Sequence, residues 1–505
     1  MYPVGLQPLA SAFLASGWTT QVAIALLGVV LILHFTFALA NEEDDGPTWL
    51  PQHSFLNLIP FYSKRHDFLR WGFWITGEPL FRFNLLGRTV VAVSGQVGRR
   101  TFFNAKGLDL HEGFQSLSGA IPIVKGVTSD LHARSIQLIS RRLGCVQKED
   151  RLIQLIPLLL TDCKQVFENW GKDGILDPFE RVYELVFQTS VRSLSCAEIA
   201  DDTSIVRRLK SLYDILDRGN TSVTVLLPLL PSPAAMRNWW ATKQIHDIIL
   251  GAINARANSG SPQHDTLQML LDEGDDKTII VGFMMGLIVA SARSTGTTAS
   301  WLLTFLGSHP EWRNAIKAEF QDLLDYHASL SPSSSSDEVP LSTRLAAIPL
   351  ESWERSTPVF DRVLHETLRL AQPHVAMRRN VGPEFHIGDK AIPTGTYVVY
   401  PFADIHLDDK LYPDPWKFDP SRPEPKEAYS YAGWGAGKIV CQGQRLARLE
   451  LKLITAMMLL GFDYSVTDKM GSPAPPPRPN WNDTLTCRPP GGSCCFKYTR
   501  TDRPL

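Results

Sequence analysis

The chain carries almost no net charge, no paired-cysteine motif and no internal repeat. Its 505 residues hold 50 Lys plus Arg against 52 Asp plus Glu, so no global field draws it to nucleic acid or to acidic partners. Cys145, Cys163, Cys196, Cys441, Cys487, Cys494 and Cys495 form neither a CxxC pair nor a zinc spacing, and their number is odd. That pattern fits a reduced, cytosol-facing environment. Basic residues are missing from the N-terminus up to Lys64, which denies the first apolar run the positive flank of a cleaved signal peptide. With 44% hydrophobic and 20% charged residues, the composition is that of a globular protein with a large core.

Val22 to Leu39 is almost wholly apolar and about as long as the ~20 residues that cross a bilayer. The expectation is an uncleaved anchor with its flank over residues 1–45, followed by one body over residues 46–505. The acidic flank from Glu42 to Asp45 gives the positive-inside rule nothing to use. Pro47, Pro51 and Pro60 predict a stiff, poorly helical linker after it. Alternating runs at 81–86 and 89–93 predict a small sheet, with further strands at 385–387 and 397–400. Residues 131–330 read as mostly helical, broken at Pro228, Pro231, Pro233 and the Ser259–Pro262 stretch. A second long apolar run, residues 278–305, is interrupted by Gly282, Gly286, Arg293, Ser294, Thr295 and Gly296. Those polar and small residues predict a buried central helix, not a membrane span.

The stretch that carries chemistry is Gly433-Trp434-Gly435-Ala436-Gly437-Lys438-Ile439-Val440-Cys441-Gln442-Gly443, followed by an amphipathic run to Leu460. Glycines let the backbone take φ > 0 and approach a bulky planar partner, and Cys441 falls just ahead of a helix start, where N–H groups favour thiolate. A single axial Cys is the ligand that pushes electron density onto haem iron. Two further groups stand out. Glu366 and Arg369 are three apart among apolar neighbours, so a buried helix would force them to satisfy each other. Phe418-Asp419-Pro420-Ser421-Arg422 supplies a second arginine.

The glycine-rich run resembles the haem-binding loop of the cytochrome P-450 family, aromatic-x-x-Gly-x-basic-x-Cys-x-Gly, through Trp434, Gly437, Cys441 and Gly443. Ile439 departs from it where a basic residue usually contacts a haem propionate. The resemblance covers roughly residues 46–500 and implies a mainly α fold with a minor β-sheet, preceded by one N-terminal transmembrane helix. Haem b would lie between the central helix and the Cys441 loop, with Cys441 as its metal ligand. It further implies that Glu366, Arg369 and Arg422 form a structural network behind the haem. Arg378 and His132, with Arg134 nearby, would meet propionates, while Val127, Ala290, Val375 and Ala376 line the substrate chamber. The segments Val124–Asp130 and Ala290–Trp301 are nearest to the sterol 14-demethylase and prostacyclin synthase branch. Aligned on Trp301, Ser294 takes the place of the usual threonine and Arg293 that of an acid or histidine. Serine keeps a hydroxyl that can pass protons, and Thr295 stands beside it; arginine stays charged and cannot donate.

The function implied by this resemblance is that of a haem-thiolate monooxygenase of the endoplasmic reticulum membrane, single-pass with its body in the cytosol. It would take NADPH-derived electrons from cytochrome P-450 reductase, with cytochrome b5 as a second donor. A terpenoid, sterol-like or polyketide substrate in secondary metabolism is implied. Two other readings stay open: an isomerase or dehydratase acting on a pre-oxidised substrate without O2, and a haem or lipid-binding protein without turnover.

Overall fold

A computed structural model describes residues 45–51, 54–118, 135–228, 230–330, 339–489 and 494–505. The expected anchor, together with Val127, His132 and Arg134, lies outside the described residues.

Helices build most of the body. Their ends follow local chemistry: Ser232 Oγ accepts from Ala235 N at 3.1 Å and Pro233 takes the first helical position of Pro233–Ser259, which stops at Gly260 with φ 64°. Proline there gives up an N–H the helix would not use, and glycine tolerates the left-handed cap. The breaks expected at Pro233 and Gly260 are thus a helix start and a helix stop. Pro60 behaves otherwise than expected of a linker, because it lies inside the helix Ser54–Ser63.

The strands are β1 (Thr48–Trp49), β2 (Leu80–Leu85), β3 (Arg88–Val93), β4 (Leu108–Asp109), β5 (Asp173–Leu176), β6 (Val375–Asn380), β7 (Phe385–Ile387), β8 (Lys390–Ile392), β9 (Tyr397–Pro401), β10 (Gly435–Ala436), β11 (Ile439–Val440), β12 (Phe462–Thr467) and β13 (Cys495–Arg500). The largest sheet runs β1-β2-β3-β9-β6-β4. One of its faces packs on Phe61, Phe68 and Leu69 of the first two described helices, a small apolar cluster separate from the main core.

The main core surrounds the helix Lys277–Ser308, capped by Asp276, whose carboxylate accepts from Ile279 N at 2.9 Å. Among the described residues this is the one helix long and apolar enough to cross a bilayer, yet most of it is enclosed by protein. Its hydroxyls explain why it belongs there. Ser300 Oγ donates to Pro178 O at 3.0 Å, Thr297 Oγ1 to Leu485 O at 3.0 Å, and Ser291 Oγ meets Ser190 Oγ at 3.0 Å. Gly296 lets Pro178–Leu194 come close, since a Cβ there would fall 2.7 Å from the Tyr183 ring. Buried polar atoms are satisfied by neighbouring segments that lipid could not supply.

Candidate functional site

Strands β10 and β11 pair as a tight hairpin, Gly435 opposite Val440 and Ala436 opposite Ile439. Gly435 and Gly437 have φ of 81° and 64°. A Cβ on Gly437 would stand 2.3 Å from Phe103 O, so only glycine fits both the left-handed turn and the close approach. Cys441 N then donates to Trp434 O at 2.7 Å, and Gly443 caps the helix Gln444–Gly461. Cys441 is exposed, in contrast to the buried, inert cysteines Cys163, Cys196 and Cys487.

The helix start does not by itself give a thiolate. Burial pushes the Cys441 thiol up, and the Gly443 N–H only partly opposes it. A metal cation would have to supply the missing stabilisation, which is what coordination does to a thiol.

Behind the loop, Glu366 and Arg369 on the helix Pro358–Leu370 form a bidentate pair at 2.7 and 2.8 Å, both buried. Arg369 directs its other donors to the carbonyls of His406 and Pro415, each at 2.6 Å, and of Lys417 at 3.3 Å. Arg422 joins through Glu366 Oε1 at 3.3 Å and also holds the carbonyls of Asp414 and Lys417. The three residues expected to act together are brought together.

A fourth member escaped the sequence reading. His406 is buried and held neutral, its pKa well below the usual value because of burial and then the Arg369 charge. Its Nε2 therefore accepts from Ala432 N, at 3.0 Å. The connection from Glu366 through Arg369 and His406 ends one residue before Gly433. Nothing in the sequence around His406 marks it.

Arg378 on β6 is buried, and its Nη1 donates to Met377 O at 2.9 Å. No carboxylate lies within ion-pairing distance among the described residues, and burial lowers its pKa to about 10. Arg379, its neighbour, is engaged by Glu112 at 3.1 Å. A cavity of about 200 Å³ opens in front of Arg378, lined also by Phe102, Phe103, Ala436, Lys438 and Ile439. A buried guanidinium without a counter-ion, beside a glycine cradle and an exposed thiol, is the donor set that a haem with its carboxylates fits.

On the central helix, Gly286, Ala290 and Ser294 are accessible at four-residue spacing while the positions around them are mostly buried. Ser294 Oγ donates to Ala290 O at 2.7 Å, and Ser294 O accepts from Thr298 Oγ1 at 2.8 Å. Thr295 is buried on the other side of the helix, away from that stripe. Arg293 is ion-paired with Asp217 of the helix Thr203–Gly219. Burial lowers its pKa, and Tyr183 and Tyr213 stand beside it. Val375 and Ala376 are both buried, Val375 in the small cluster and Ala376 in the main core. Two accessible residues that sequence reasoning missed stand on other segments: His374, and Leu485 on the loop bonded to Thr297.

A family model described as cytochrome P450 matches residues 176–496. The chain is 28% identical over 473 residues to the cytochrome P450 monooxygenase AacuE of Aspergillus aculeatus, covering 89% of this chain and 91% of that one. It is 27% identical to the lanosterol 14-alpha demethylase of Mus musculus, over 77% and 75% of the two chains. Among solved structures, the retinoic acid-bound cyanobacterial CYP120A1 superposes with a TM-score of 0.69 at 19% identity, covering 90% of this chain and 99% of that one. That likeness concerns the fold. The chain belongs to the cytochrome P450 family, whose members carry haem-thiolate iron, and it is an oxidoreductase of the monooxygenase kind.

Proposed function

We propose that this chain is a membrane-anchored monooxygenase that oxidises a lipophilic small molecule of terpenoid, sterol-like or polyketide type. Its electrons come from NADPH through cytochrome P450 reductase, with cytochrome b5 as a second donor. The carrying observation is the exposed Cys441 on a glycine hairpin beside a buried arginine that lacks a carboxylate among the described residues. Haem, when bound, supplies activation of O2 and insertion of one oxygen atom.

The protein's own residues do the rest. Cys441 Sγ would hold the iron, and Arg378 would hold a carboxylate of the cofactor. Glu366, Arg369, Arg422 and His406 fix the loop in place. Ser294 Oγ donates to Ala290 O and has lone pairs free to accept, so the hydroxyl would relay a proton by taking one up as it releases its own. Arg293 is neutralised by Asp217, which keeps a free cation off the wall that Ser294 occupies.

Membrane association has its own support. The helix Ser54–Ser63, which follows the apolar run in sequence, exposes Leu56 and Ile59. The helix Ser222–Leu226 packs on it and, with the chain just beyond, exposes Val223, Leu227, Leu230, Met236, Trp239 and Trp240. Apolar side chains of this size on neighbouring segments suit the lipid interface of the endoplasmic reticulum. Deleting residues 1–45 should leave haem binding intact and weaken, without abolishing, binding to vesicles.

The decisive test is the ferrous carbon monoxide spectrum of wild type and Cys441→Ala. A thiolate-type Soret band should be present in the first and absent in the second. An unchanged band in the variant would remove Cys441 from the iron.

A further inference from the structure

A cavity of about 250 Å³ opens where the helix Glu149–Glu168 meets the ends of Ser135–Val146 and Pro178–Leu194 and the start of Thr266–Asp272. It shares no residue with the Cys441 hairpin, the Arg378 cavity or the accessible stripe of the central helix. Arg151, Leu155 and Leu158 come from one face of Glu149–Glu168, being four and then three positions apart, and Val146 adds to their apolar wall. The volume falls below the ~300–1,000 Å³ of pockets for drug-sized ligands, so the occupant is a molecule of one or two rings.

The polar side of this cavity has one charge left over. Arg192 is matched twice, by Asp162 at 2.8 and 2.9 Å and by Asp201 at 2.6 Å. Asp265 accepts from Arg256 Nη1 at 3.1 Å and from the backbone N–H groups of Ala197 and Gln268 at 3.0 and 2.9 Å. Both carboxylates on the wall, Asp201 and Asp265, are thus neutralised in place. Ser193 Oγ is taken up by Thr189 O and Glu450, and Thr266 Oγ1 donates to Ser193 O at 2.7 Å. Of the charged side chains on the wall, Arg151 is left uncommitted. No carboxylate stands within ion-pairing distance of it among the described residues, and its Nε is shut off from solvent without a hydrogen-bond partner. Enclosing a donor in that way costs free energy unless something accepts from it. Gln263 and His264, both exposed, bring further polar groups to the same rim.

We propose that this cavity binds a small apolar carboxylic acid, with its carboxylate on the Arg151 guanidinium and its ring against Val146, Leu155 and Leu158. One unmatched cation suits a monoanion, whereas a phosphate dianion would bring a charge that no further free cation meets. A carboxylate also offers two oxygens to the parallel N–H groups of a guanidinium, and a neutral amide offers one. The apolar wall then shields that contact from water, which strengthens it.

The test uses the full-length holoenzyme and a matched pair of probes, 2-naphthoate and the neutral 2-naphthamide, titrated by calorimetry with the haem spectrum recorded alongside. Wild type should bind 2-naphthoate about tenfold or more tightly than 2-naphthamide, with no shift of the haem spectrum. Arg151→Gln, which removes the charge, should bring the two affinities within about threefold. Leu158 is exposed enough to accept a charged replacement. Leu158→Glu sets a further carboxylate on the wall and should weaken 2-naphthoate by about tenfold while 2-naphthamide changes by less than about threefold. That variant carries the test if Arg151→Gln yields no holoenzyme. Equal affinities in wild type, an undiminished preference for 2-naphthoate in either variant, or binding that appears only with a shifted haem spectrum would overturn the proposal.

Discussion

On the side of the helix Pro358–Leu370, Arg369 uses all five of its N–H donors, and Glu366 receives two arginines and the Asp419 N–H. Across the Cys441 loop, on the central-helix side, Ser294 makes one bond along its own helix and the His374 ring makes none. The first region is buried, so its polar groups lose their hydration, whereas Ser294 and His374 are exposed. The first recovers the loss at Glu366 and Arg369 by pairing each of them several times over. The second leaves hydrogen-bonding capacity unused. Arg293 shows the boundary: a charge on the open side is tolerated because Asp217 matches it.

The largest effect should come from breaking the paired side. Glu366→Ala strands Arg369 and Arg422 with carbonyl partners only, at a cost of roughly 3–5 kcal/mol. Because Arg369 also holds His406, and His406 holds Ala432, the loss should reach the hairpin. The purified variant should contain little or no haem by pyridine haemochrome assay. A haem-replete variant with a changed substrate preference would instead assign Glu366 to the chamber.

Glu450, on the helix that starts just after Cys441, is an exception within the paired side and gives a smaller, pH-dependent effect. It is buried, with Oε1 2.7 Å from Ser193 Oγ and Oε2 without a partner. Ser193 also reaches Thr189 O at 2.8 Å. One hydroxyl proton cannot serve both acceptors, so the carboxyl keeps its own proton and donates it. Burial raises its pKa from 4.5 to about 7. A carboxyl raised in the folded state is destabilising once ionised. Stability is therefore lost as pH rises from about 4.5 through about 7, by on the order of 3 kcal/mol. Glu450→Gln should melt like wild type at pH 5 and at a higher temperature at pH 8. Parallel melting curves for the two proteins across that range would show that Glu450 is ionised throughout.

The smallest effect on stability, and the sharpest on chemistry, belongs to the open side. Ser294→Ala removes an exposed hydroxyl and should cost under about 1 kcal/mol. Substrate binding should change less than twofold, while product formed per NADPH falls several-fold and peroxide release rises. Thr295→Ala should leave coupling unchanged, because Thr295 faces away from the accessible stripe. Full coupling in the Ser294→Ala variant would remove this hydroxyl from proton delivery, whereas product formed from a pre-oxidised substrate without NADPH would favour an isomerase or dehydratase that needs no O2.

The sequence by itself determined what local rules can specify. Glycines at 435 and 437 announce a left-handed turn, the three-residue spacing of Glu366 and Arg369 puts them on one helix face, and Ser, Thr and Gly within 277–308 mark a helix buried in protein. Each depends on residues within about one turn of each other. Tertiary structure alone decided which cysteine is exposed, that Arg379 is occupied by Glu112 while Arg378 has no carboxylate among the described residues, and that Arg293 meets Asp217 some 76 positions away in the chain. It also decided that His406 matters, as a neutral acceptor. The pKa and pairing of these groups follow from burial and from partners that are distant in sequence, and neither is written in the neighbouring residues.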